Sequence, residues 1–351
     1  MRLRWKSAGA LGGALLVVGS MLAAHSPDDE LRTSAVEAHQ FSFTAAADYG
    51  STAATASTLD GVAAWSPTFH LALGDFSYSD LSPQDWCSMV RTHVPTSIPV
   101  EIVAGNHEDF TPGPSGGRGT IDAYTGCLPD GLGGLTGEYG REYFFDYPPE
   151  QPLARFVMLT PGLVFPDGAR RYTRGGPHFQ WAASVIDDAH MQGIPWVIVG
   201  MHKPCLSMGV QRCGGTKDLM NMLLDKKVDL VLQGHDHTYQ RTAQLALGPG
   251  CEALDPNQYQ PECVSNRLPD GYTKGQGSVL VIVGTGGEAQ TGIDPWGPAA
   301  AYFANGGGEP GAPVHGFLGV SVSGGALRAA FHPAPDTSFA DEFTISQADA
   351  S

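Results

Sequence analysis

The sequence predicts a mixed α/β fold, and two features of its 351 residues support that prediction. Short apolar segments of strand length alternate with segments of helical pattern, as in sheets whose strands are joined by helices. Five of the apolar segments are followed directly by a polar residue that could bind a metal ion. Because ligands of α/β sheets gather at the carboxyl ends of strands, these residues predict a site at that edge. We expect one main domain over residues 40–345.

The first half of the chain contains three of the five strand ends. We predict strands at 41–47, 68–73 and 98–104, which lead into Asp48, Gly74-Asp75 and Gly105-Asn106-His107. Helices are predicted over 52–64 and 83–93. Residues 111–140 are rich in glycine and proline, which favours a long loop.

The second half contains the other two strand ends. The apolar run 195–201 ends at His202, and the run 228–233 leads into Gly234-His235. Further strands are predicted at about 142–147, 154–160 and 278–284, and helices over 178–191 and 216–226. Residues 247–276 predict another loop, and residues 315–332 predict a hairpin with a Gly-Gly turn.

The N-terminal residues 1–25 have the layout of a signal peptide. Arg2, Arg4 and Lys6 provide the positive start, and residues 8–24 carry no charge before a polar, acidic stretch begins. Cleavage would give a secreted or extracytoplasmic protein without stable membrane association. A retained anchor at the cell surface is the alternative, because the apolar segment is at the short limit for crossing a bilayer.

The six cysteines agree with export. An even number without metal-binding spacing is typical of disulfides formed in an oxidising compartment. We predict the pairs Cys205–Cys213 and Cys251–Cys263, which would each close a short loop, and with them Cys87–Cys127. Free buried thiols are the alternative.

The formal net charge of −16 limits the partners of the protein. Such an acidic surface repels nucleic acid and anionic lipid, so we expect neither as a partner. An anionic ligand must find positive potential at its own site, and bound metal ions are a natural source of it.

Five short motifs surround the strand ends. They are Asp48-Tyr49-Gly50, GDxxY at 74–78, GNHE at 105–108, VxxH at 199–202 and GHxH at 234–237. Each alone is compatible with a structural role, such as an aspartate in a turn or a histidine in the core. Together they argue for one site, because carboxylate, imidazole and amide ligands suit iron, zinc or manganese.

In this order the motifs resemble the five-block signature of the purple acid phosphatases, a branch of the calcineurin-like metallophosphoesterases. The resemblance covers residues 41–241 by motif. It implies two packed β-sheets flanked by helices, an αββα sandwich, with two metal ions at the strand ends. The sequence departs from the family's first block at Ala47, where glycine is usual, but that position is not a ligand.

The resemblance also implies the ligands of both ions. The first metal would be held by Asp48, Asp75, Tyr78 and His237, and the second by Asp75, Asn106, His202 and His235. Asp75 would then bridge two ions about 3.5–4 Å apart, the spacing found in two-metal hydrolases.

Tyr78 distinguishes this branch of the superfamily. Most calcineurin-like enzymes have a histidine ligand at the position of Gly50, and a purple acid phosphatase replaces it with a tyrosine like Tyr78. A phenolate favours a trivalent ion. We therefore expect iron(III) at the first site, and iron(II), zinc or manganese at the second. A core aromatic residue is the alternative role for Tyr78.

The function implied is hydrolysis of small phosphate monoesters by attack of a metal-bound hydroxide. His107, next to Asn106, is our candidate for the acid that protonates the leaving group, with an orienting role as the alternative. We expect Glu108 and Asp236 to support the ligands or to cap loops. A phosphodiesterase on the same scaffold and a non-catalytic binding protein are the alternative functions.

Four further residues near the motifs receive weaker expectations. Lys203 and Arg241 lie beside ligands in the sequence, where they could contact phosphate or be solvated charges. We expect His70 to be a core residue and His315 to lie at a sheet edge.

Overall fold

The computed structural model of the protein describes residues 40–78, 81–111, 118–211, 213, 217–308, 312–335 and 337–348. The predicted signal peptide, residues 1–25, lies outside these residues. Within the described part of the chain, no helix is both long and apolar enough to cross a membrane.

Two large β-sheets form the centre of the fold. The first has seven strands, in spatial order Gly271–Thr273, Glu342–Ser346, Ala326–Pro333, Gly316–Ser323, Gln40–Ala46, Phe69–Ala72 and Val100–Ile102. The second has eight, in spatial order Phe303–Gly307, Tyr239–Thr242, Val279–Val283, Leu230–Gln233, Trp196–Met201, Ala154–Leu159, Glu142–Tyr147 and Thr136–Glu138. Two short sheets pair Gln244–Leu245 with Val264–Asn266, and Val164–Phe165 with Gly168–Ala169.

Parallel strands lie in the middle of the second sheet and at both sides of the first, where Gly271–Thr273 and Glu342–Ser346 form a parallel pair at one side. In the first sheet, Gln40–Ala46, Phe69–Ala72 and Val100–Ile102 run parallel to one another. In the second sheet, four neighbouring strands run parallel to one another: Ala154–Leu159, Trp196–Met201, Leu230–Gln233 and Val279–Val283. Their side chains are buried on both faces, as expected of parallel strands covered on both sides.

The two sheets pack face to face across an aromatic core. Phe43 and Phe69 of the first sheet contact Phe156 of the second, with ring centroids 5.1 and 5.3 Å apart. These edge-to-face contacts are a favourable geometry for aromatic rings. The interface excludes water from the inner face of both sheets.

Helices cover the outer faces of both sheets. Three helices pack on the first sheet: Ala53–Trp65, Pro83–His93 and Ile121–Cys127. Two helices pack on the second: Pro177–Met191 and Lys217–Asp225. The order of layers is therefore helix, sheet, sheet, helix, and the predicted αββα fold is confirmed. Local sequence sets the helix starts: the Thr52 side chain caps the first helix, and Ser82 followed by Pro83 begins the second.

All three predicted disulfides are present, as Cys87–Cys127, Cys205–Cys213 and Cys251–Cys263. The prediction of uninterrupted loops was wrong in two places. Residues 111–140 contain the helix Ile121–Cys127 and the strand Thr136–Glu138, and residues 247–276 contain the strands Val264–Asn266 and Gly271–Thr273. These elements are short and gain their order from packing against the sheets, so the sequence carries little periodic signal for them.

Candidate metal centre

The first sheet presents three of the predicted ligands at one edge. Gln40–Ala46 leads to Asp48, Phe69–Ala72 to Asp75 and Val100–Ile102 to Asn106. Since these strands are parallel neighbours, their carboxyl ends lie side by side. The second sheet adds two more in the same way, because Trp196–Met201 leads to His202 and its parallel neighbour Leu230–Gln233 leads to His235.

The backbone at this edge is held in an unusual conformation. Six non-glycine residues among those described have a left-handed backbone, and four of them are predicted ligands. These four are Asp48 (φ 62°), Asp75 (φ 53°), Tyr78 (φ 50°) and His235 (φ 72°). Such a conformation costs about 1–3 kcal/mol per residue and persists only where the surrounding structure enforces it, which is common at functional sites.

Three side chains form the first of two groups at this edge. The Tyr78 hydroxyl donates to Oδ1 of Asp48 at 2.8 Å and lies 2.9 Å from Nε2 of His237. Nε2 of His237 is 3.5 Å from the same carboxylate oxygen. Because Nδ1 of His237 donates to the carbonyl of Ala289 at 2.7 Å, Nε2 presents its lone pair to this group.

The second group lies next to the first and is more deeply buried. Three atoms that could bind a metal ion, one from each of Asp75, His202 and His235, all lie within 4.8 Å of one another. Nε2 of His202 is 3.1 Å from Oδ2 of Asp75, and Nδ1 of the same ring donates to the carbonyl of Leu73 at 2.8 Å. The structure therefore brings together a carboxylate and two imidazoles, the donor set of a transition-metal site.

This donor set fits a cation better than it fits an internal hydrogen-bond network. Oδ1 of Asn106 and Nε2 of His202 are buried, yet neither makes a well-formed hydrogen bond with a described residue. In the neutral His202 ring, Nδ1 carries the proton that it donates to Leu73, and Nε2 turns a lone pair toward the Asp75 carboxylate. Two electron-rich atoms at 3.1 Å need a proton or a metal cation between them. Buried unpartnered polar atoms of this kind call for a bound ion.

In the absence of a cation, the electrostatics of the site place a proton between His202 and Asp75. Burial alone would lower the pKa of His202, but the carboxylates of Asp75 and Asp48 raise it to about 9. Burial works to raise the pKa of Asp75, and the positive charge of His202 overcomes this and lowers it below the usual range. Burial, and after it repulsion from His202, lowers the pKa of His235 to about 3, so this imidazole is neutral and able to coordinate.

Glu108 supports the backbone around Asp75 and is completely buried. Its carboxylate accepts hydrogen bonds from the backbone N–H groups of Asp75, Phe76 and Gly105, each at 2.9 Å. Burial, followed by repulsion from Asp75, raises the pKa of Glu108 to about 8. The residue thus fixes two of the ligand-bearing loops relative to each other.

Asp236, between His235 and His237, joins the site to the loop closed by Cys205–Cys213. One carboxylate oxygen accepts a hydrogen bond from the Ser207 hydroxyl, and the other accepts from the backbone N–H of Gln211 at 3.0 Å. Asp236 is completely buried, and burial raises its pKa. The side chain thus tethers the GHxH segment.

His107 lies at the mouth of the site. Its backbone N–H donates to Oδ1 of Asp75 at 2.9 Å, and Nε2 is 3.9 Å from Oδ2 of Asp75. Its ring lies against the Tyr78 ring, with centroids 4.3 Å apart. The side chain is 28% exposed, so it can meet a substrate from solvent while its backbone holds a ligand.

Sequence reasoning missed the contribution of the segment after Val279–Val283. The backbone N–H of Glu288 donates to the carbonyl of Asp48 at 3.0 Å, and a Cβ placed on Gly50 would lie 2.7 Å from Oε2 of Glu288. The carboxylate of Glu288 therefore lies beside the position where related enzymes carry a histidine ligand. The Gly-rich run 284–287 directly before Glu288 was the available signal, because glycines allow backbone segments to approach closely.

The structure corrects the expectations for Arg241. Its guanidinium is buried and forms two hydrogen bonds with Asp341, at 2.6 and 2.7 Å, so it is neither solvated nor placed to contact phosphate. Lys203 is partly buried, and burial lowers its pKa. His70 lies in the core between Thr44 and Tyr49, as expected.

His315 lies at the start of the sheet strand Gly316–Ser323. Its Nε2 is 3.1 Å from the carbonyl of Glu288, so it contacts the segment that supports Asp48. This agrees with the expected sheet-edge position.

Comparison with known families agrees with the fold and with the donor set. The family model described as Calcineurin-like phosphoesterase matches residues 38–239, which is more than half of the chain. The protein belongs to the calcineurin-like phosphoesterase family.

Its similarity to individual proteins points to the purple acid phosphatases. It is 28% identical over 243 residues to the uncharacterized protein Rv2577 of Mycobacterium tuberculosis, covering 64% of this chain and 43% of that protein. It is 24% identical over 228 residues to purple acid phosphatase 18 of Arabidopsis thaliana, covering 63% of this chain and 49% of that protein. The chain thus spans about half the length of these relatives.

A solved structure shows the same fold. Purple acid phosphatase PPD1 from yellow lupin (Lupinus luteus) superposes with a TM-score of 0.67 at 18% sequence identity, over 89% of this chain and 54% of that one. At this level of identity the likeness concerns the fold.

Proposed function

We propose that the protein is an exported, binuclear metal-dependent phosphoesterase that hydrolyses phosphate monoesters. The observation that carries this proposal is that carboxylate, imidazole, phenol and amide groups meet at one buried sheet edge. Two of their atoms, Asn106 Oδ1 and His202 Nε2, have no hydrogen-bond partner among the described residues. Neither group of side chains has an evident purpose in stabilising the fold.

The two groups of side chains correspond to two metal sites. In this assignment Asp48, Tyr78 and His237 would hold the first ion, and Asn106, His202 and His235 would hold the second. Asp75 would be a ligand of both. The short contacts within the first group and the 4.8 Å cluster of the second support the assignment. The phenol of Tyr78 favours iron(III) at the first site, and the two imidazoles suit iron(II), zinc or manganese at the second.

When bound, the two metal ions would activate a water molecule for attack on phosphorus and neutralise charge on the phosphoryl oxygens. The residues of the chain perform the remaining tasks. His107 donates a proton from its imidazole to the leaving oxygen, and its exposed position at the mouth of the site supports this role. Glu108 and Asp236 keep the ligand-bearing loops in place through the hydrogen bonds that they accept.

A small phosphate ester is the proposed substrate, because a compact local site must overcome the repulsion of a protein with a net charge of −16. The same ligands could serve a phosphodiesterase, so the ester class must be measured. Export is proposed from the signal-peptide layout of residues 1–25, and the three disulfides fit an oxidising compartment.

One paired experiment tests the function. Purified protein is analysed for bound metal and assayed with 4-nitrophenyl phosphate and with bis(4-nitrophenyl) phosphate. We expect two ions per chain and faster turnover of the monoester, and we expect Asp75→Asn to lose both ions. Asp60→Asn, which changes an exposed carboxylate that pairs with His93, is the matched control.

Three outcomes contradict parts of the proposal. Faster turnover of the diester would assign a phosphodiesterase. Two bound ions without turnover of either ester would indicate a non-catalytic binding protein. The absence of bound metal after incubation with iron and zinc would remove the metal centre itself.

A further inference from the structure

A cavity of about 280 Å³ opens beside the candidate general acid. Tyr78 and His107 form the part of its wall that belongs to the metal centre, and Leu81, Pro83 and Arg118 line it further out. Its volume is near the lower end of the ~300–1,000 Å³ typical of small-molecule sites. Since His107 serves the leaving group in the proposed function, a cavity that shares His107 lies on the leaving-group side of the phosphorus.

Arg118 places a positive charge in the wall of this cavity. Its side chain is exposed, and it forms no ion pair with any residue in the described part of the chain. Other exposed arginines in the described part of the chain, such as Arg174 and Arg328, also form no ion pair. Arg118 differs from them in its position, because it lines a cavity that His107 also lines.

The surroundings of Arg118 leave its charge available. Its backbone N–H reaches the carbonyl of His107 at 3.4 Å, which ties its position to that of the candidate acid. Among the described residues that line the cavity, Glu108 is the acidic one, and its carboxylate already accepts hydrogen bonds from three backbone N–H groups around Asp75. The described wall of the cavity therefore offers a guanidinium to an anionic ligand, while its carboxylate is engaged by the backbone.

We propose that this cavity receives the leaving-group portion of the substrate and that Arg118 binds a second phosphate carried by it. The preferred substrates would then be small bisphosphorylated compounds rather than simple monoesters. This inference rests on the proposed phosphoesterase function and narrows it to a substrate class. A guanidinium matches phosphate through paired N–H donors, and this interaction is selective for the second anionic group.

The test compares two sugars that differ only in a second phosphate, glucose 1,6-bisphosphate and glucose 6-phosphate. We expect wild-type protein to have the higher kcat/KM for the bisphosphate. Arg118→Gln should lower the ratio of the two kcat/KM values by roughly ten- to a hundredfold, as expected for loss of hydrogen bonds to a charged group, with the effect mainly in KM. Arg328→Gln, which removes an exposed arginine from the strand Ala326–Pro333, should keep the wild-type ratio.

The outcomes separate the two proposals. If wild-type protein hydrolyses both sugars and Arg118→Gln keeps their ratio within about twofold, the role of Arg118 is overturned while the phosphoesterase function stands. An equal loss for both sugars would also overturn it, because the second phosphate would then not be the group that Arg118 recognises. If metal-loaded wild-type protein hydrolyses neither these sugars nor 4-nitrophenyl phosphate, the proposed function fails and this inference fails with it.

Discussion

The hydroxyl of Tyr78 donates to Oδ1 of Asp48 at 2.8 Å, and it lies 2.9 Å from Nε2 of His237. Burial, followed by the negative charge of Asp48, raises the pKa of this phenol well above its usual range. A phenol in that setting ionises only when a strong cation replaces its proton. The three side chains are thus arranged to exchange one proton for one metal ion.

Tyr78→Phe should abolish visible colour in the iron-loaded protein. A phenolate bound to iron(III) gives a charge-transfer band at visible energies, and the aspartate, histidine and asparagine ligands give none of comparable strength. The oxidised wild-type protein should be pink to purple. An absorption spectrum recorded with the iron content of the same sample checks this prediction.

Tyr259→Phe is the matched control, because Tyr259 packs against Tyr302 in a different part of the molecule and should leave the colour unchanged. Retention of iron by a colourless Tyr78→Phe protein is the decisive pattern. A wild-type protein that is fully active and colourless with two divalent ions would contradict the assignment of iron(III).

His107→Ala should reduce turnover by about 10²–10⁴-fold for alkyl phosphates, whose leaving alkoxide needs a proton. The loss should be much smaller for 4-nitrophenyl phosphate, because its leaving group departs without protonation. His93→Ala, a change to a histidine paired with Asp60 on a surface helix, is the control. An equal loss for good and poor leaving groups would assign His107 a positioning role, since its backbone N–H contacts Asp75.

The sequence was sufficient to predict that the candidate ligands meet at one place, because they follow strand ends. Five candidate ligands each occur a short distance after a buried parallel strand, namely Asp48, Asp75, Asn106, His202 and His235. Parallel strands bring their carboxyl ends to one edge of the sheet. The position of these polar residues after apolar segments therefore predicts which side chains lie close together. The αββα layering came from family resemblance, since alternation of strands and helices alone does not specify two sheets.

Contacts between distant residues could not be predicted in the same way. Arg241 follows the GHxH motif closely, yet its partner is Asp341, about a hundred residues later in the chain. Glu288 approaches Gly50 only because Val279–Val283 ends beside the first sheet. No periodicity or motif records such pairings, because they arise from the way that the two sheets pack.

Asp236→Asn should weaken metal binding about 10–100-fold, the usual effect of altering a residue that orients ligands. Asp236 accepts hydrogen bonds on both carboxylate oxygens, from Ser207 and from Gln211. An asparagine has one acceptor oxygen, so one of these donors loses its partner and the segment carrying His235 and His237 loosens. Competition with a chelator measures the affinity for each ion.

Asp60→Asn provides the control, since Asp60 is 66% exposed and should leave metal affinity unchanged. The midpoint of thermal unfolding of the metal-free proteins should be recorded alongside. A fall in that midpoint with unchanged metal affinity would show that Asp236 stabilises the fold and does not tune the site.

Glu101 provides a test of stability that is independent of the metal centre. It is 1% exposed, and Oε1 accepts the backbone N–H of Gly131 at 2.9 Å. Burial raises the pKa of this carboxyl to about 7, and the negative charge of Asp130 adds to the effect, while the bond from Gly131 opposes it. Tyr139, Tyr143 and Arg91 are further titratable groups that interact with it.

The sign of the pH effect follows from this raised pKa. Below the ordinary pKa of about 4.5, Glu101 is protonated in both the folded and the unfolded chain and has no pH-dependent effect. Between there and pH 7 the unfolded chain ionises while the folded protein holds its proton, so the free energy of unfolding falls. Above pH 7 both states are ionised and the loss stays constant, at up to about 3 kcal/mol.

Glu101→Gln should therefore gain stability relative to wild type as the pH rises from 4.5 to 7, since glutamine is neutral throughout and can still accept the bond from Gly131. Urea unfolding of both proteins at pH 5 and pH 8 measures the change in their difference, which should be roughly 2–3 kcal/mol. Glu342→Gln, an exposed carboxylate on the strand Glu342–Ser346, should show no such change. If the difference between wild type and Glu101→Gln is the same at both pH values, Glu101 ionises in the folded protein as readily as it does in the unfolded chain.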